Sequence, residues 1–197
     1  MRSVSVGPDG LARCPWADSS EDYRDYHDTE WGRVVHGDIA LFERITLEAF
    51  QSGLSWLTIL RKRTDFRRAF AGFDPVTVAA FGDSDLDRLM ADASIVRNRR
   101  KIEATVQNAR ALLDLQASGG SLDDLVWSFA PPRRERPVAM DEVEAQTAQS
   151  RALSKALKAQ GFVFVGPTTM YAAMQACGLV DDHLEDCHVP PLRAGGR

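Results

Sequence analysis

Apolar residues return at helical spacing through nearly the whole chain, and the one run that reads as a strand, FVFV at 162–165, is too short and solitary to seed a sheet. The expected fold is therefore all-α, a helical bundle. From Asp38, read as an N-cap, the residues Leu41, Phe42, Ile45, Ala49 and Phe50 recur along one stripe. Asp74-Pro75 opens another helix, cap first and proline next, and Ser84 is expected to cap a short one carrying Leu86, Leu89 and Met90. Ile102, Val106, Ala109 and Leu113 form the seam of a longer helix, and Ser121 caps a segment with Leu122, Leu125, Val126 and Phe129. Residues 130–150, with three prolines and mixed charge, come nearest to a linker. From Ser150 the pattern gives a helix with Leu153 and Leu157, a C-cap at Gly161, the apolar turn, and a last helix over 167–178.

A chain of 197 residues, 44% hydrophobic and 26% charged, suits one compact domain and excludes a disordered or collagenous chain. The 24 Lys+Arg against 28 Asp+Glu give a formal charge of -4, so no global basic field announces a nucleic-acid partner. Local charge decides instead. The basic residues clump at Arg61, Lys62, Arg63, Arg67 and Arg68, at Arg97, Arg99, Arg100 and Lys101, and at Arg133, Arg134 and Arg136; solvated helix faces would account for each clump taken alone. Residues 162–180 carry no charge, yet Gly166, Pro167, Thr168, Thr169 and Gln175 speak for a buried turn and core helix over a membrane span. Three cysteines cannot all pair, and the N-terminus has no apolar signal region, so a reduced, cytoplasmic protein is expected.

Four residues at the two extremes of the chain, Cys14, His27, His183 and Cys187, could make a Cys2His2 metal set. His183-x3-Cys187 puts two donors within one turn. Cys14-x12-His27 is looser, four unrelated polar residues would explain the same letters, and His36 and His188 are spare nitrogen donors. If they share an ion, it ties the termini together and stabilises flanks that lack apolar residues of their own. A site closed by four protein ligands leaves no position for a hydrolytic water.

Glu48 falls beside Leu41 and Ile45 at the edge of the apolar face, where an unpaired carboxylate is costly. Either it pairs with a hidden cation, or it faces a pocket for a polar or cationic ligand. Five of the seven Trp and Tyr residues, namely Trp16, Tyr23, Tyr26, Trp31 and Trp56, lie in the same first third. Flat rings beside a carboxylate suit an electron-poor heterocycle, although core packing is the more ordinary fate of such rings. The glycine-flanked turn at 161–168 can bring backbone N–H groups and a helix N-terminus to an anion such as a DNA phosphate.

These segments together resemble the type I 3-methyladenine DNA glycosylase family, within the helix-hairpin-helix DNA glycosylases. RCPW at 13–16, YHDTEWG at 26–32, LFERITLEAFQSGLSW at 41–56, FDPVTVA from 73, VRNRRKIEATVQNAR from 96, VWSF from 126, LSKALKAQGFVFVGPTTMYAAMQACGLVDDH from 153, and Cys187 carry the likeness. It runs over 13–187, leaving an extra N-terminal segment at 1–12 and a tail at 188–197 on a single glycosylase domain.

The resemblance implies excision of 3-methyladenine from alkylated double-stranded DNA by hydrolysis, without a lyase step, and one structural zinc ion on Cys14, His27, His183 and Cys187. It implies that Glu48 hydrogen-bonds the base, that Tyr26 and Trp56 stack on it, and that Trp16 helps line the pocket, with Tyr23 and Trp31 as further wall. Gln51, Gly53 and Leu54 correspond to an intruding loop with Leu54 as apolar plug, and a helix-hairpin-helix over 153–177, with Gly161, Gly166 and Thr168, to the phosphate anchor. Pro167 stands where the resemblance leads one to expect a hydroxyl residue. Asp181 and Asp182 receive no catalytic role, and a monomer is the expected state. A zinc-stapled helical module that only binds nucleic acid is the competing reading; a lone carboxylate among aromatics speaks against it.

Overall fold

Helical periodicity is realised almost throughout. The computed structural model, which describes residues 4–191, contains nine α-helices among those residues: α1 Glu21–Thr29, α2 Asp38–Gln51, α3 Trp56–Ala69, α4 Pro75–Ala79, α5 Asp83–Ala91, α6 Arg99–Ala117, α7 Leu122–Trp127, α8 Ala148–Ala159 and α9 Pro167–Ala176. Residues 1–3, and 192–197 of the expected tail, lie outside the described residues. α2 is the central element. Leu41, Phe42 and the run from Ile45 to Phe50 are all buried, because α3, α6, α7 and α9 pack around it. Behind it Phe50, Phe66, Phe70 and Phe73 form a ladder of rings with successive centroids 4.7, 6.1 and 5.7 Å apart.

One segment departs from the sequence reading. A small antiparallel ribbon, β1 Ser5–Val6 with β2 Ala12–Arg13, forms within the N-terminal segment and runs into the first motif. Its signal is Asp9-Gly10: Gly10 takes φ +79°, and its N–H reaches Gly7 O at 3.0 Å. FVFV is not a strand and forms the apolar turn expected of it. Phe164 turns into the left-handed region at φ +56°, and the Asn108 side chain takes the place of a neighbouring strand. Asn108 accepts from Val163 N–H at 2.8 Å and donates to Val163 O at 3.0 Å.

Several caps also move. Gly37, at φ +94°, rather than Asp38 precedes α2, and the Asp38 carboxylate accepts from Asp123 N–H at 2.9 Å, serving the first turn of α7. Gly82 rather than Ser84 caps α5, with Asp85 accepting from Gly82 N–H at 3.2 Å. Thr147 caps α8, and Ser150 sits three residues in, the two side chains bonding each other's backbone N–H. The α6 seam buries Leu112, with Leu113 half-exposed.

The fold brings both ends of the chain together beside α1. Gly178, at φ +73°, lies so close to Gly32 and Arg33 that a Cβ would come within 2.8 Å of their backbone. Val35 N–H reaches Cys177 O at 3.1 Å at the same crossing. None of the helices among the described residues is long and apolar enough to cross a membrane.

Candidate functional site

A cleft of about 390 Å³ opens beside the C-terminal half of α2. Trp16, Tyr23, Tyr26, Trp31, Glu48, Gln51, Trp56 and Thr168 all line it, so one carboxylate and five aromatic side chains singled out from the sequence share one wall system. Gly53, Leu54, Gly161 and Gly166 are not part of that lining. Leu54 stands out from the loop after α2, 43% exposed.

Trp16 is the hub of the rings, edge-on to Tyr23 at 5.6 Å and to Trp31 at 5.1 Å. Tyr26 and Trp56 lie 5.4 Å apart at 46°. That is already ring-to-ring contact, so they form one continuous wall and no third ring fits between them. The Tyr23 hydroxyl accepts from Leu57 N–H at 3.0 Å, which fastens α1 to the first turn of α3 beside Trp56.

Glu48 is 6% exposed and makes no hydrogen bond or ion pair among the described residues. Arg44, one turn earlier, is committed to Glu30 at 3.0 Å, and Glu30 is also gripped by both terminal nitrogens of Arg63. The Arg63 hydrogen bonds, with Arg44 adding to them, hold Glu30 down at about 2 against the opposing effect of burial. Burial instead pushes Glu48 up to about 8, the charge of Arg44 opposing it. Of the two readings open for this carboxylate, the pocket-facing one describes the geometry. Tyr26 is pushed up by its own burial and then by the proximity of Glu48.

The far side of the cleft was not legible as such. Met140, Val143, Glu144 and Ala145, from the stretch read as a linker, line it together with Tyr171, Ala172, Gln175 and Asp182. Asp182 is buried and accepts from the Tyr171 hydroxyl at 2.6 Å, Gln175 Nε2 at 2.8 Å and Arg134 Nη2 at 2.8 Å. Arg136 binds Asp181 at 3.0 Å and Val189 O at 2.7 Å, so the proline-rich stretch is bolted to the C-terminal segment. The apolar residues Val138, Met140 and Val143 in an otherwise polar run were the available signal.

The four metal-capable residues converge. Their donor atoms lie within 4.8 Å of one another and all four residues are buried. Cys187 Sγ is 3.6 Å from His27 Nε2 and from His183 Nδ1, and Cys14 Sγ is 4.0 Å from His183 Nδ1. The outer ring nitrogens are held too, His27 Nδ1 by Asp28 at 2.8 Å and His183 Nε2 by Trp31 O at 3.1 Å. A Cβ on Gly32 would come within 3.1 Å of the His183 ring. The spare histidines serve elsewhere: His188 binds Asp28 at 2.9 Å, and His36 binds Asp123 at 3.0 Å. The cluster can hold a metal ion.

The basic clumps are largely consumed inside the protein. Arg61 pairs with Asp22, Arg67 with Glu43, Arg68 with Asp65, and Arg99 with Asp87 and Glu103. Lys62 donates to Ala93 O and Ser94 O. The described cations that remain exposed and unpaired include Arg151, Lys155 and Lys158 on α8.

A methyladenine glycosylase family model matches residues 16–190. The chain is 47% identical to a DNA-3-methyladenine glycosylase of Haemophilus influenzae over 180 residues, 89% of this chain and 96% of that protein. It superimposes on a crystal structure of a 3-methyladenine DNA glycosylase I with a TM-score of 0.88 at 45% identity, covering 91% of this chain and 100% of the other. A variant of such an enzyme in complex with 3-methyladenine gives a TM-score of 0.86 at 36% identity, covering 91% and 98%.

Proposed function

The chain belongs to the methyladenine glycosylase family, and from that membership we infer how its cleft performs the reaction. The protein excises 3-methyladenine from alkylated DNA by hydrolysing the N-glycosidic bond. A purine methylated on its minor-groove nitrogen is cationic, so its glycosidic bond is already weak and the leaving group needs no protonation. What remains is to draw the base from the stack, recognise it, and stabilise an oxocarbenium-like sugar while water attacks. The cleft lining contains no lysine, which accords with hydrolysis without a Schiff-base step.

Glu48 carries the reading: a buried, unpaired carboxyl group opening on an aromatic cleft. A cationic base returns to it the charge partner that the protein withholds, so the carboxylate form is favoured when the lesion arrives and accepts hydrogen bonds from the adenine amine edge. The continuous Tyr26 and Trp56 wall offers one stacking face, with Trp16, Tyr23 and Trp31 closing the pocket. Incubation with methylated DNA followed by chromatography of released bases tests the assignment; 3-methyladenine is expected in the eluate, and its absence would refute it. Trp56→Ala is expected to weaken binding of the free base by about 1–3 kcal/mol. Titration calorimetry checks this, and an unaltered affinity would make Trp56 a packing residue.

DNA is held by α8, the turn at 161–166 and α9, acting as a helix-hairpin-helix. Gly161 at φ +90° reverses the chain, Gly166 leaves the α9 N-terminus without a side-chain cap, and Lys155 and Lys158 flank the turn. Thr168 lines the cleft, so it sits between anchor and base. Gln51, Gly53 and Leu54 form the intruding loop, with Leu54 filling the gap left by the flipped nucleotide.

Zinc is the metal that the cluster suits. Two thiolates and two imidazoles at its usual bond lengths stand ~3.5 Å apart along tetrahedral edges, close to the observed 3.6 and 4.0 Å. Cys14, His27, His183 and Cys187 would hold it, and it would supply structure rather than a nucleophile. The single-domain organisation, monomeric state and cytoplasmic location belong to the same proposal.

A further inference from the structure

Lys101 belongs by sequence to a basic clump, yet it is 7% exposed and points inward from the first turn of α6. Its Nζ donates to Phe50 O at 2.8 Å and to Ser52 O at 2.6 Å. These carbonyls close α2, where the helix has run out of its own N–H donors and the negative end of its dipole gathers. The loop that follows is otherwise held by short-range bonds, Ser52 N–H to Ala49 O, Leu54 N–H to Gln51 O, and Thr58 N–H to Ser55. Its residues 52–55 are exposed, and Gly53 takes φ +85°. Among the described residues, the bond from Lys101 to Ser52 is the one hydrogen bond that reaches residues 51–55 from a distant part of the chain.

On either side of that bond stand Glu48 and Gln51 at the end of α2, Leu54 at the loop tip, and Trp56 at the start of α3. We propose that Lys101 is a positioning residue for excision: its ammonium group clamps the end of α2 to the following loop, setting Leu54 at the height needed to enter the DNA stack. A point cation suits the task, since one Nζ satisfies two carbonyls two residues apart. An apolar side chain would leave both carbonyls without this donor, the buried Phe50 O at the greater cost. The proposal rests on the reading of Leu54 as plug. It differs in kind from phosphate binding, because the charge is spent inside the protein.

The test compares two measurements on Lys101→Met, Lys101→Gln and Leu54→Ala: single-turnover excision from alkylated duplex DNA, and binding of free 3-methyladenine. For Lys101→Met, duplex excision is expected to fall about 10- to 100-fold, as for a displaced positioning group. Free-base affinity should stay within about threefold, because the pocket itself is intact. Lys101→Gln, with one amide left to donate, should lie between Met and the native residue. Unchanged duplex excision in Lys101→Met would overturn the clamp, and so would a parallel loss of free-base binding, which is the signature of general destabilisation. If Leu54→Ala leaves duplex excision intact, the plug reading falls and takes the clamp with it; if Leu54→Ala is slow and Lys101→Met is not, the clamp alone falls.

Discussion

Glu48→Gln is expected to slow single-turnover excision of 3-methyladenine by roughly 10- to 100-fold, the worth of a hydrogen bond to a charged partner. The metal content should stay as it was. The amide keeps the shape of the side chain and removes the charge that a cationic base seeks. Burial holds the Glu48 carboxyl at about 8, so the free enzyme gains its anionic form only as pH rises through that value. The native kcat/KM should therefore climb with pH towards a plateau above about 8, and the climb should vanish in Glu48→Gln. A pH–rate profile unchanged by the substitution would remove Glu48 from recognition.

The same group makes a stability prediction of opposite sense. In the unfolded chain a glutamate releases its proton near its ordinary value of 4.5, whereas the folded protein retains it up to about 8. Between those values the native state binds more protons. Stability from this group is thus full below 4.5 and is lost as pH rises through the window, on the order of 3–5 kcal/mol in all. Glu48→Gln should show no such loss, and urea titrations at several pH values would reveal the divergence. The protein gives up this stability to keep a carboxyl group ready for its ligand.

Cys187→Ala should have the largest effect on the fold. A link between Cys14 and Cys187 closes nearly the whole chain, and in the loop-entropy account a crosslink over such a length contributes about 5 kcal/mol. For a protein of this size that corresponds to a fall in Tm of about 10–20 °C. Elemental analysis should find one zinc per native chain and none per variant. Excision should fail as well, since Trp16 lies 5.2 Å from His27 and Trp31 4.6 Å from His183, so that wall of the pocket leans on the Cys/His cluster. An unaltered melting temperature in Cys187→Ala would show that the cluster needs no ion.

Most of the helices, the four metal-capable residues and the aromatic residues of one wall were legible because each has a local or compositional signal, whereas α1 and α3 were not read as separate helices. Leu41, Ile45 and Glu48 share a face by angle alone, and five rings crowd into one third of the chain. The opposite wall was hidden because Met140 and Val143 belong to no periodic element. They reach the cleft through Arg134 and Arg136, whose partners Asp182 and Asp181 lie more than forty residues away. Charge runs concealed their partners for the same reason. Arg63, Arg67 and Lys101 read as parts of solvated basic clumps until the carboxylates and carbonyls that hold them come into view.

The Cys14, His27, His183 and Cys187 cluster should also order events during synthesis. A ribosome has made every residue that lines the cleft before Cys187 emerges, and until then His27 and Cys14 wait without their partners while the rings that lean on His27 lack a finished support. A chain halted a few residues early would have every residue of the cleft and still no settled pocket. Competence for repair should therefore arrive in a single step once Cys187 has been made, and products truncated before it should not linger on DNA as partly working enzymes.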